Sequence, residues 1–316
     1  MKKIPIIMDT DPGIDDAAAL TVALNHPQMD LQLITTVAGN VSVDKTTKNA
    51  LKLVEFFDKD VPVARGADQP LIREPEDASH IHGESGMDGY DFPEPKRKEI
   101  DLHAVQAMKQ VLEQSTEPIT LVPVGTLTNV ALLLMQYPEL KSRIKEIVMM
   151  GGSISGGNAT SAAEFNIYAD PHAAKIVFQS GIPIVMAGLD ATRQALLVPK
   201  SFRKLADLGR TGEMLYGLLS HYNGGSAEEG FQMHDVCTLF YLLHPEKIKT
   251  VDLFINVATE GPAMGATVAD IQRKDHAKAN AKVCVDIDTD FFNQWFLSFI
   301  QQIKMKARIR IKTRRW

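Results

Sequence analysis

Six short apolar runs rich in β-branched residues dominate the first two thirds of the chain, and amphipathic stretches separate them. The runs are KIPIIM (3–8), LQLITTV (31–37), VPVA (61–64), PITLVPV (118–124), EIVMMG (146–151) and IPIVMAG (182–188). Between them the spacing predicts helices over 14–25, 42–57, 101–115, 126–136 and 170–179. Continuous apolar strands alternating with helices define an α/β fold: a mostly parallel sheet covered by helices on both faces. The last third is more helical, over 199–207, 211–222, 233–243 and 289–303. Two later strands, VDLFINVAT (251–259) and AKVCVDID (281–288), break the simple alternation.

The length of 316 residues, with 45% hydrophobic and 23% charged, suits one large core. Residues 1–303 read as a single domain and 304–316 as a basic tail with seven Lys/Arg in thirteen residues, a solvated end rather than a nucleic-acid arm. A net charge of -5 gives no sign of nucleic-acid binding. Cys237 and Cys284 form no CxxC pair and read as buried thiols of a cytoplasmic protein. The N-terminus lacks a signal peptide, and no apolar run reaches the roughly 18 residues that span a bilayer. Two segments lack periodicity, 65–100 and 221–232, and either could form a lid over a site.

The first apolar run ends in DTDPGIDDA (9–17), which packs Asp9, Asp11, Asp15 and Asp16 where a strand gives way to a helix. In open α/β sheets ligands bind beyond the carboxyl ends of strands. Pro12 and Gly13 shape the turn, Gly13 by permitting unusual torsions. Like charges this close either protonate or recruit a cation. Hard oxygen donors without His or Cys favour Ca²⁺ or Mg²⁺. Helix capping by Asp15 and Asp16 accounts for one or two acids, not four. An EF-hand loop counted from Asp9 fails, because Ile14 and Leu20 hold the places of its Gly and Glu. A strand followed by DxD is also similar to the haloacid dehalogenase-type phosphatases, although Gly13 stands where those enzymes carry Thr or Val.

DTDPGIDDA resembles the N-terminal signature of the inosine–uridine-preferring nucleoside hydrolase family. TTVAGN (35–40), HGESGMDG (82–89), VPVGTLTN (122–129), MGGSISGGNATSAAEFNIYADP (150–171) and MHD (233–235) follow in the family's order, covering residue 4 to about 300. Within the family, LQLITTVAGNVSVDKTTKNAL and HGESGMDGYDF look most like the bacterial non-specific ribonucleoside hydrolases. The resemblance implies a mixed, mainly parallel sheet with a Rossmann-like core, one Ca²⁺, and a homodimer or homotetramer acting in nucleoside salvage. It implies that Asp11, Asp16, Asp235 and the main chain of Val124 bind the metal. Asp15, Asn40, Asn158, Glu164, Phe165 and Asn166 would surround the ribose, and His82 and His234 the base. No nucleic-acid or membrane partner is implied.

The chemistry is consistent with those roles. Cleaving an N-ribosidic bond passes through an oxocarbenium-like state. Asp11 is expected to act as general base on a metal-bound water, with inversion and no covalent intermediate. An imidazole with pKa near 6.5 can protonate a leaving purine, which nominates His234 and, less directly, His82. Pyrimidines lack the same ring nitrogen, so one histidine does not explain both classes. Glu164 and Asn166 would share a face if extended, matching a vicinal diol. A phosphatase, or a nucleoside binder without turnover, are the alternatives.

Overall fold

The computed structural model describes residues 2–313 apart from 273 and 275–277, with side chains to residue 305. Its centre is an eight-stranded sheet: β1 (Ile4–Thr10), β2 (Met29–Thr36), β3 (Val63–Arg65), β4 (Ile119–Pro123), β5 (Ile144–Met150), β6 (Ile184–Ala187), β7 (Ile248–Leu253) and β8 (Ala281–Ile287). The spatial order is β7-β8-β6-β5-β4-β1-β2-β3. All neighbours are parallel except β7 and β8. The expected strand over 251–259 is instead two. Ile248–Leu253 joins the main sheet, and Ile255–Val257 leaves it to pair with Thr267–Ala269.

Period-two alternation divides the apolar residues between the two faces of the sheet. Ile6, Met8, Val122, Val148 and Val185 pack with helices α1 (Ile14–Asn25) and α2 (Val43–Phe56) and with helices of the last third. Ile7, Leu33, Leu121, Ile147 and Met186 pack beneath helices Ala104–Gln114, Thr128–Gln136 and Pro171–Phe178. Burial on both faces explains why the strands read as unbroken apolar runs. Cys237 and Cys284 are free and buried. Helix Thr289–Thr313 runs on into the basic segment, whose side chains from 306 and residues 314–316 lie outside the described residues.

The chain leaves β1 toward β2 and β3 and returns to place β4 on the other side of β1. Strand order therefore reverses between β1 and β4, and a crevice opens beyond their carboxyl ends. The aspartate cluster sits at that point, with one exception. Asp9, still on β1, is buried against the opposite face. Its Oδ1 accepts from the Thr35 hydroxyl at 2.5 Å and from Asn129 Nδ2 at 2.8 Å, which ties β1, β2 and helix Thr128–Gln136 together.

Burial pushes the Asp9 carboxyl up to about 7, against those two hydrogen bonds. Its folded pKa stands above the unfolded value, so protonated Asp9 stabilises the fold. That contribution is complete below about pH 4 and is lost as pH rises through about 7. Asp9→Asn, isosteric with the neutral acid, should flatten this dependence. Denaturant titrations at about pH 5 and about pH 8 should show the stability difference shrinking by roughly 2 kcal/mol relative to the parent.

Candidate active site

Asp11 lies just past β1, where the backbone makes room for its carboxylate. A Cβ at position 39 would lie 2.1 Å from Asp11 Oδ2, and one at position 125 would lie 2.5 Å from Oδ1. Glycine is required at both places by close approach. The same holds at Gly13, whose φ of -100° is ordinary, so the expected torsional reason does not apply. A Cβ there would meet His82 Nδ1 at 2.6 Å and Asn40 Nδ2 at 2.8 Å.

Asp11 Oδ2 accepts from the Asn40 N–H at 2.7 Å, while Oδ1 is enclosed and has no protein partner. Asn40 Nδ2 donates to Asp16 Oδ2 at 2.9 Å. Asp16 also caps α1, accepting from the Gly13 N–H at 3.0 Å and from the Thr10 hydroxyl at 2.5 Å. Capping therefore does account for part of the cluster. Asp235 arrives from the chain just before helix Val236–Leu243. Carboxylate oxygens of Asp15, Asp16 and Asp235 lie within 4.8 Å of one another. Burial, and then mutual repulsion, holds Asp11, Asp15 and Asp235 well above the usual carboxylate range, and burial also raises Asp16. An enclosed oxygen without a partner, beside hard anionic donors that repel one another, fits a divalent cation such as Ca²⁺.

These acids border a cavity of about 370 Å³, within the usual range for a small-molecule site. Asp15, Asn40, Val124, Asn158, Glu164, Phe165, Asn166, His82, His234 and Asp235 all line it. Asp11 and Asp16 sit fully buried beside it. Asp9 does not line it, so the first carboxylate of the DxD pair, the nucleophile in a haloacid dehalogenase-type phosphatase, is turned away from the cavity.

Glu164 and Asn166 meet differently from the expected extended pair. Glu164 caps the short helix Phe165–Ala169, accepting from the N–H groups of Asn166 at 2.9 Å and Gly152 at 2.8 Å. Asn166 is in the first turn, and its amide donates to the Val124 carbonyl at 2.7 Å. A cap and its first turn converge on one spot without a strand. The Asn158 side chain accepts from the Phe165 N–H at 2.9 Å.

Two imidazoles line the same cavity, and His82 Nδ1 lies 4.0 Å from Asp15 Oδ1. His82 Nδ1 accepts from the Ile14 N–H, the first of α1, at 3.1 Å. Burial, with His234 and His80 nearby, pushes His82 down to about 3. Its ring is therefore neutral and carries hydrogen on Nε2. His234 Nδ1 lies 2.8 Å from the Thr192 hydroxyl and Nε2 3.0 Å from Gln232 Oε1. Burial, then the nearby Arg193, pushes His234 down to about 4, so the near-neutral value expected from sequence does not hold. Tyr222, which sequence reasoning missed, is buried with its ring centroid 5.3 Å from that of His82. Burial and the Asp15, Asp235 and Asp16 charges raise its hydroxyl pKa, which keeps it a donor. The signal available was an aromatic residue inside the Gly-rich segment 221–232. Both aperiodic segments border the cavity, the first through 76–78 and 80–82 and the second through 222–224 and Gln232.

A cavity bordered by buried acids at the switch point of an α/β sheet is the arrangement of a small-molecule site. Residues 6–294 match the inosine-uridine preferring nucleoside hydrolase family, and the chain belongs to it. It is 53% identical over 291 residues to a protein of Salmonella enteritidis PT4 named non-specific ribonucleoside hydrolase RihC, covering 92% of this chain and 95% of that one. The protein of the same name from Escherichia coli O127:H6 is 52% identical over 294 residues, covering 93% and 97%. Among solved structures, the purine-preferring ribonucleoside hydrolase from Gardnerella vaginalis superposes with a TM-score of 0.88 at 31% identity, covering 95% of this chain and 98% of that one.

Gly39→Ala tests the seating of Asp11 directly, because the new methyl must displace its carboxylate. Nucleoside turnover should fall by roughly 100-fold, the scale expected for a misplacement of about 1 Å. Thermal unfolding should stay near the parent value, since the group that moves is a side chain.

Proposed function

We propose that the chain hydrolyses the N-glycosidic bond of purine and pyrimidine ribonucleosides, releasing ribose and free base with Ca²⁺ as cofactor. The observation that carries this is the cavity's polarity. Buried carboxylates and the imidazoles of His82 and His234 line one cavity together. The names of the relatives support the broad substrate class.

Asp11, Asp16, Asp235 and the Val124 carbonyl would hold the calcium. When bound, it would supply Lewis-acid polarisation of oxygen ligands. The enclosed Oδ1 of Asp11, free of protein partners, is the atom assigned to take the proton from the attacking water. As the C1′–N bond breaks, its electron pair leaves with the base and positive charge builds on the ribosyl ring. Asp15 and Glu164 stabilise that charge electrostatically. Asp15, Asn40, Asn158, Glu164 and Asn166 orient the ribose hydroxyls, and Phe165 closes that side. His82 and Tyr222 serve the departing base as neutral donors, which suits an exocyclic oxygen as well as a purine ring nitrogen, and His234 acts on it through the Gln232 side chain that its Nε2 faces. Pyrimidine departure then needs no separate imidazolium. A cytoplasmic homodimer or homotetramer acting in nucleoside salvage completes this reading. No helix among the described residues is long and apolar enough to cross a membrane.

Incubation with inosine and uridine, followed by chromatography for free base, tests the reaction. Tight binding without free base would favour a binder, and phosphate release from a nucleotide would favour a phosphatase. The assignment of acids is tested by metal content. Asp16→Ala should lose bound calcium by elemental analysis, whereas Asp15→Ala should keep it and lose turnover. Calcium lost equally from both would place Asp15 among the ligands.

The sugar contacts carry a prediction of their own. A 2′-deoxynucleoside leaves buried polar groups unpaired, at about 1–3 kcal/mol or more for charged ones. Intrinsic reactivity pushes the other way, because deoxyribosides ionise more readily. Hydroxyl recognition should dominate, giving inosine at least about 100-fold over 2′-deoxyinosine in kcat/KM, at the low side of what such sites achieve. Similar values would remove the diol grip.

A further inference from the structure

We propose that Gln232 reads the base, donating its amide N–H groups to an exocyclic oxygen, and that Thr192 holds it to that task through His234. The inference rests on the hydrolase reading above and names the side chains that would distinguish an oxo-base from an amino-base.

Three side chains form a hydrogen-bonded series at the cavity wall: Thr192 Oγ1 to His234 Nδ1 at 2.8 Å, and His234 Nε2 to Gln232 Oε1 at 3.0 Å. Its direction follows from what each atom can do. A carbonyl oxygen only accepts, so His234 Nε2 carries hydrogen. The fully buried Thr192 hydroxyl lies within hydrogen-bond distance of the other ring nitrogen and so fixes the orientation of the ring. The far end of the series is the Gln232 amide nitrogen. No protein atom among the described residues accepts from it, and Gln232 lines the cavity.

The residue is also rigidly held. Gln232 ends the strand Gly230–Gln232, the middle strand of a small three-stranded sheet, and pairs with Leu196. Its own N–H donates to the Gly224 carbonyl at 3.1 Å, and the next N–H, of Met233, donates to the Ala195 carbonyl at 3.1 Å. A side chain fixed at its backbone and at its oxygen presents donors only. An oxo group pairs with them, while an exocyclic amino group meets donor against donor. Negative charge that spreads onto the oxo group as the base departs strengthens the contact, so the preference should appear in kcat as well as KM.

Inosine and adenosine differ at one exocyclic group and make the test. With the calcium-loaded enzyme, kcat and KM are measured on both for the parent and for Gln232→Leu, Gln232→Glu, Thr192→Val and Thr192→Ser. The parent should favour inosine by about tenfold in kcat/KM, the scale of one well-placed hydrogen bond. Gln232→Leu and Gln232→Glu should both erase that preference. Glu keeps an acceptor for His234 but removes the donors, so a Gln232 that merely props His234 would keep the parental ratio in Gln232→Glu and overturn the proposal. Thr192→Val should reduce kcat and the inosine preference together, and Thr192→Ser should restore both. Failure of Ser to rescue would overturn the role of Thr192. A parent that hydrolyses both nucleosides without preference overturns the base reading and leaves the hydrolase intact. A parent that hydrolyses neither takes both down.

Discussion

Crowded negative charge without water is the constraint on which the site depends. Asp11, Asp15, Asp16 and Asp235 are each almost fully buried, and burial together with repulsion disfavours the charged form of every one. Such a cluster persists only when the surrounding fold fixes it, because each acid would be better solvated outside. The fold does so with short, specific devices. Gly39 and Gly125 leave a slot the width of one carboxylate, and the Asn40 N–H holds one oxygen in it. The other oxygen stays enclosed and unpaired, an arrangement that makes sense for an atom whose partner is a cation or a water.

The start of α1 organises two parts of the site at once. Its first N–H groups have no helical partners. The Gly13 N–H goes to Asp16, in the acid cluster, and the Ile14 N–H goes to His82, on the cavity wall. One helix N-terminus therefore supports a carboxylate of the cluster and holds the Nδ1 of a cavity-lining imidazole. The tolerance for error is small, since a methyl at Gly13 would strike both His82 and Asn40.

Much of this was legible in the sequence. Unbroken apolar runs announced a buried parallel sheet and placed DTDPGIDDA at a strand end. The residues carried over from the family motifs all gather at one cavity. What escaped had physical causes. Strand 251–259 looked continuous because β-propensity does not register a change of sheet at Phe254. Glu164 and Asn166 looked like a strand face because a five-residue helix has too few turns to show a period. Asp9 counted with the cluster because spacing alone does not say that Thr35 and Asn129 hold it on the other side. The histidine pKa values depend on burial, which no local pattern encodes.

The one-turn helix Leu189–Thr192 shows how two parts of the cavity wall are joined beyond the reach of any motif. Asp190 accepts from the Ile154 N–H at 2.9 Å and from the Ser155 hydroxyl at 2.5 Å, and the Leu189 N–H donates to the Gly152 carbonyl at 2.9 Å. Arg193, next along the chain, donates to the Gly157 carbonyl at 2.6 Å, beside Asn158. These bonds pin the Gly-rich loop that leads to Glu164. Two residues after Asp190, Thr192 holds His234. A shift of this turn would move the loop that carries Asn158 and leads to Glu164 together with His234. Glycosidic cleavage needs that concerted placement, because the sugar gains charge at the moment the base departs.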